Sequence, residues 1–129
     1  MKSFLVLLAG ALMVMSSAAH AFLGWPPLRG GLRTAGLAGN LIGALAVGWY
    51  FGSVSMLAFG AITLRSGRLL RKGDRSGVAP VRMIAACYLI FGLAAFLSRN
   101  FNPHFLVFIF TGLLAGIPVL SEDHKTKIT

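Results

Sequence analysis

Acidic residues are almost missing from this chain. Asp74, Glu122 and Asp123 are the only three in 129 residues, against twelve lysines and arginines. None of them falls within an apolar run, so the intramembrane carboxylate of a proton-coupled carrier or an aspartyl protease has no counterpart here. Cysteine is scarcer still. Cys87 alone cannot close a disulfide within the chain, and without a CxxC or CxxCH neither zinc nor covalent haem finds its ligands. Set in Ala85-Ala86-Cys87-Tyr88-Leu89, it reads as a small hydrophobe rather than a reactive thiol. Charge of either sign is sparse at 12% of residues, whereas 57% are hydrophobic and the mean hydropathy is +0.80. A soluble fold of this length needs a polar shell that such a composition does not supply. The folded surface is therefore expected to face lipid, as an all-α integral membrane protein.

The net charge of +9 does not indicate nucleic acid. Its basic residues sit between apolar runs, where the lysine and arginine topology rule puts them, and not on a basic face interleaved with stacking aromatics.

Residues 1–21 have the three parts of a secretory signal peptide: Lys2, an apolar stretch from Phe4 to Met15, and Ala19-His20-Ala21. Cleavage is expected before Phe22, which gives His20 no role beyond the middle of the motif. Retained instead, the same stretch is long enough for a first span. Residues 22–35 contain Pro26-Pro27 and Gly30-Gly31 and read as irregular, with Trp25 at the membrane–water interface. Three further spans are expected at about 44–64, 80–98 and 104–120, so a small bundle of three helices follows cleavage and four follow retention. Trp49 and Tyr50 fall where an aromatic belt belongs. Asn102 and Pro103 make a helix start.

The loop 65–79 is strongly basic. Arg65, Arg68, Arg71, Lys72, Arg75 and, just beyond it, Arg82 face a single acid, Asp74, and are read as a cytoplasmic signal whose side chains contact anionic lipid headgroups. Arg65, Arg68, Lys72 and Arg75 would share one face if the preceding helix continued, with Gly73 as its stop. With this loop inside, Lys2, Lys125 and Lys127 are inside too, and only Arg29, Arg33 and Arg99 are outside. The expected location is a bacterial inner membrane, with Phe22 periplasmic and the C-terminus cytoplasmic.

Three G-x-x-x-G pairs lie in the apolar runs: Gly39 with Gly43, Gly48 with Gly52, and Gly112 with Gly116. Lipid supplies no hydrophobic drive between helices, so close backbone approach at small residues becomes the means of association. At 100° per residue, Gly39 and Gly43 lie opposite Gly48 and Gly52, as suits a helix between two neighbours. Such surfaces serve the bundle itself, a homo-oligomer or a partner membrane protein. Ser53, Ser55, Thr63 and Thr111 are read as bonding to helix carbonyls. Asn100, Asn102 and His104 are too poor in ligands for a metal.

No nucleophile, base and stabiliser come together in the sequence, so no enzyme and no cofactor is expected. In size and span count the chain is similar to the small multidrug-efflux carriers, but those work through an intramembrane acid that is lacking here. The leading expectation is a non-enzymatic accessory or assembly subunit acting by helix–helix association. A homo-oligomeric channel or facilitator for a small solute is the first alternative and a pilin-like subunit the second.

Overall fold

The computed structural model describes residues 2–120. The tail with Glu122, Asp123, Lys125 and Lys127, and the topology signal read from it, lies outside the described residues. Among the described residues all regular structure is helical. Four segments are long and apolar enough to cross a membrane: Lys2–Thr34, Gly39–Arg71, Arg75–Ser98 and Pro103–Leu120.

The first segment is α1 (Lys2–Ala19), a π-helical turn (His20–Gly24) and α2 (Trp25–Thr34) run together without a break. The expectation of an irregular stretch at 22–35 is corrected here. Pro26 and Pro27 are the second and third residues of α2, in its first turn, where their missing N–H groups cost little, and the wider π-turn before them takes up the register change. The turn into α3 (Gly39–Arg71) uses Gly36 at φ +78°. Each arm of this hairpin has 33 residues, about 50 Å of helix against a hydrocarbon core of about 30 Å. Each arm is thus longer than that core is thick, and α3 is longer than the expected 44–64.

At its other end α3 stops at Arg71, and Gly73 supplies the stop at φ +82°. Lys72 has thus left the helix and Arg75 opens a short 3₁₀ turn, so the expected four-residue basic face ends after Arg65 and Arg68. Asp74 caps that turn, its Oδ1 accepting from the Ser76 N–H at 2.9 Å. Helix α4 (Val78–Ser98) runs back to a tight connection in which Asn100 and Phe101 take positive φ. Asn102 Oδ1 accepts from the His104 N–H at 2.9 Å, and a 3₁₀ turn (Pro103–Phe105) leads into α5 (Leu106–Leu120).

In cross-section the order is α1, α3, α4, α5, with α5 closing back on α1; α1 with α3 and α4 with α5 are the tightest pairs. The core comprises Val6, Ala9 and Met13 of α1, Val81, Ile84, Ala85 and Tyr88 of α4, and Ala115 and Val119 of α5. The residues of α3 that are buried are mostly small: Ser53, Gly60, Thr63, Ser66 and Gly67. Ser53, Gly60 and Gly67 recur every seven positions, which keeps them on one stripe facing α1. There the two backbones touch: a Cβ at Gly10 would lie 2.9 Å from the Leu64 nitrogen, and one at Gly60 2.9 Å from the Val14 nitrogen. In the other tight pair Gly92 lies against Ile109 and Phe108, and Gly112 against Leu89 and the Ala85 carbonyl.

Candidate functional site

Several polar side chains meet where α1 gives way to the π-turn. His20 is the first residue of that turn. Its ring stacks on Trp49 with centroids 3.9 Å apart and planes 8° from parallel. The Trp49 indole N–H donates to the His20 carbonyl at 2.8 Å, locking the two helices at this level. Gly24 leaves room for the indole, since a Cβ there would fall 2.7 Å from Trp49 Cζ2. Trp25 and Tyr50 complete an aromatic group, each within about 6 Å of its neighbour (5.9 Å to Trp49, 6.1 Å to Tyr50).

Beneath the stack, Ser17 Oγ donates to the Ser53 carbonyl at 2.7 Å, and His20 Nδ1 lies 2.9 Å from Ser53 Oγ. Ser53 Oγ also reaches the Trp49 carbonyl at 3.2 Å. The Ser53–His20 pair is no nucleophile–base dyad: Ser53 is 4% exposed and belongs to the wall of neither adjoining cavity.

Those two cavities share His20, Met56 and Phe108. The outer one, about 460 Å³, is also bounded by Ser16, Leu23, Trp49 and His104, so both described histidines face it. The other, about 320 Å³, is walled by His20, Gly52, Ser55, Met56, Phe59, Cys87, Tyr88, Phe91 and Phe108. Tyr88 is 5% exposed, and its hydroxyl has no hydrogen-bond partner. Among the described residues no three His, Cys, Asp or Glu come close enough to hold a metal ion.

At the opposite end a cavity of about 310 Å³ is lined by Lys2 and Ser3 of α1, Leu70 of α3, Gly73 just after it, Arg75, and Pro118 and Val119 of α5. Arg82 Nη2 donates to the Val119 carbonyl at 2.9 Å. Cations thus collect where the last carbonyls of α5 present their negative dipole end. The single described acid, Asp74, has its carboxyl held below the usual range, first by the Ser76 backbone N–H and then by the Ser76 side chain.

The six glycines singled out in the sequence divide. Gly112 and Gly116 lie in the α4–α5 contact, the latter with Ala85 Cβ 3.2 Å from a would-be methyl. Gly39, Gly43 and Gly48 have nothing within 4 Å of that position, and Gly52 only the His20 ring at 3.8 Å. Ala19 ends α1 and Ala21 lies in the π-turn. Arg65, Arg68 and Arg71 lie on the last turns of α3, Lys72 just after it, and Arg82 on α4 with its bond to α5. Ser55 and Thr111 bond back to Phe51 and Val107 at 2.9 and 2.7 Å, whereas Thr63 turns across to Met13 Sδ at 3.6 Å.

The sequence reading missed His20, Gly10, Gly60 and Tyr88. The seven-residue spacing of Ser53, Gly60 and Gly67 was a usable signal for the helix crossing. Nothing in the sequence pairs position 20 with positions 49 and 53. No protein-family model, no curated protein and no solved structure matches this chain.

Proposed function

We propose that this chain is an accessory or assembly subunit of a bacterial inner membrane, acting by helix–helix association and not by catalysis. The observation that carries the reading is the uncontacted glycine pair on the outer half of α3. Gly39 and Gly43 line an open groove between α3 and α2, with Trp25, Arg29 and Arg33 along it, and a Cβ at either would meet nothing within 4 Å, while Gly10, Gly60, Gly92 and Gly112 serve close contacts within the chain. Leu41, Leu45 and Val47 around them are exposed as well. In lipid such a surface gains nothing from apolarity alone, and gains by letting another backbone approach.

In this reading the first segment is retained as a span. Val6, Ala9 and Met13 are fully buried, and removing residues 1–21 would strip α3 and α5 of their shared neighbour. Lys2, the basic 65–79 loop and the C-terminus then lie in the cytoplasm, and the His20–Trp49 end faces the periplasm. Arg65, Arg68, Arg71, Lys72 and Arg75 meet anionic headgroups on the cytoplasmic side.

Photo-crosslinking from Leu41 and Val47 in native membranes tests the association. A single second protein captured from both positions, and lost in Gly43→Leu, is the expected result. Crosslinks to lipid only, unchanged in Gly43→Leu, would refute it. Crosslinks between copies of this chain would favour the oligomeric channel.

A further inference from the structure

We infer that the groove between α2 and α3 seats an acidic helix of a different membrane protein, whose carboxylate pairs with Arg29 and Arg33. The inference rests on the association reading and names the chemistry of the partner. Trp25, Arg29 and Arg33 follow one another at intervals of four, so they lie along one face of α2. That face and the α3 residues Gly39, Gly43 and Tyr50 bound a groove of about 350 Å³. Trp25, 7% exposed and 6.1 Å from Tyr50, stands with it at the end away from the hairpin turn. The glycines leave room for a backbone, since a Cβ at Gly39 or Gly43 would meet nothing within 4 Å.

The groove is positive and holds no counter-charge of its own. Arg29 and Arg33 are exposed, and among the described residues no carboxylate pairs with either. Asp74, the single described acid, comes after Arg71, at the far end of a helix about 50 Å long. Glu122 and Asp123 follow in sequence on α5, whose last turn shares a cavity with Gly73 at that same far end. A second copy of this chain, inserted in the same orientation, would therefore bring more cations to this level and no acid, and like charges oppose such a pairing. A guanidinium takes a carboxylate bidentately, and the two forks are one turn apart, as are acids at i and i+4 of a facing helix. Gly39 and Gly43 precede the expected 44–64 span, so an acid facing them lies at headgroup depth and stays ionised. A lipid phosphate would answer the arginines alone. A helix answers both features, with its backbone against the glycines and its carboxylate against the guanidiniums.

The test places a photo-crosslinker at Leu41 of the full chain in native membranes and identifies the captured protein and the crosslinked peptide by mass spectrometry. The expected capture is a protein other than this chain, with Asp or Glu within a turn of the junction. Its yield should fall about tenfold in Arg29→Gln/Arg33→Gln and return in Arg29→Lys/Arg33→Lys. Changing that acid to its amide in the captured protein should lower the yield as the glutamine variant does. Both arginines are exposed, so the unfolding midpoint of the glutamine variant should match the native one, which separates lost binding from lost fold. Equal capture by the native chain and the glutamine variant would overturn the acidic partner and leave the association reading standing. Capture of this chain by itself would overturn the different protein. Crosslinks to lipid alone would overturn both readings and leave the groove a headgroup site.

Discussion

Adding one methyl group at Gly60 should separate α1 from α3, and the size of the effect follows from the crossing geometry. A Cβ at Gly60 would sit 2.9 Å from the Val14 backbone nitrogen and 3.0 Å from the Gly10 carbonyl oxygen, as well as 2.7 Å from Val14 Cγ2. The side-chain clash can relax by rotation, but the two backbone clashes cannot. Restoring a contact of about 3.5 Å requires the helices to part by about 0.6 Å, and a gap of that order forfeits roughly a quarter to a half of each dispersion contact along the seam. In lipid nothing else replaces those contacts. Gly60→Ala should therefore cost about 1–3 kcal/mol, the range for an overpacked core. Gly43→Ala, with nothing within 4 Å, should cost nothing and gain up to about 1 kcal/mol from helix propensity. Unfolding in mixed micelles at rising SDS fraction, followed by tryptophan fluorescence, measures both. Equal midpoints for Gly60→Ala and Gly43→Ala would refute the backbone crossing. That result would also be expected if residues 1–21 were removed, so the intact mass must be measured on the same preparation.

If α1 is retained as proposed, that mass should be the full 13.7 kDa; a species lacking residues 1–21 would sink the four-span reading. Arg82→Met removes the donor to the Val119 carbonyl and should lower stability by about 1–2 kcal/mol in the same SDS assay, whereas an unchanged midpoint would make that bond dispensable. Asp74 gives a pH dependence of defined sign. Its carboxyl is held below its ordinary value of 3.8 by Ser76, so the native state binds a proton less readily than the unfolded chain. Its stabilising effect is present above pH 3.8 and is lost as the pH falls through the lowered native value. The midpoints of Asp74→Ala and the native chain should differ at pH 7 and converge in acid; a difference that persists undiminished in strong acid would exclude the cap as its source.

The helices were legible because each has a local cause. Apolar runs of sufficient length mark the spans, Gly73 stops α3 by its positive φ, and the Asn102 side chain starts the turn before α5. The stretch from Phe22 to Ala35 is not legible as helix, because proline and glycine pairs ordinarily break one. A π-turn just before Pro26 supplies the spare register that lets two prolines enter a helix, and no local pattern announces it. The glycine pairs were a partial guide to contacts within the bundle: Gly112 and Gly116 meet α4, whereas Gly39, Gly43 and Gly48 meet nothing within 4 Å. G-x-x-x-G spacing describes a surface, while contact depends on the opposing helix. Gly60 is buried because Gly10, fifty positions away, is small enough to meet it.

His20 shows most clearly how a position changes meaning between sequence and fold. Read along the chain it is the unremarked middle of a cleavage motif; in the bundle it joins α1 to α3 by stacking, by its carbonyl and by its Nδ1. Three separate contacts on one residue tie α1 to α3 at this level and leave His20 on the wall of both adjoining cavities. The polar groups of Ser17, Ser53 and Trp49 are satisfied within that cluster, whereas the Tyr88 hydroxyl, buried on α4, has no partner.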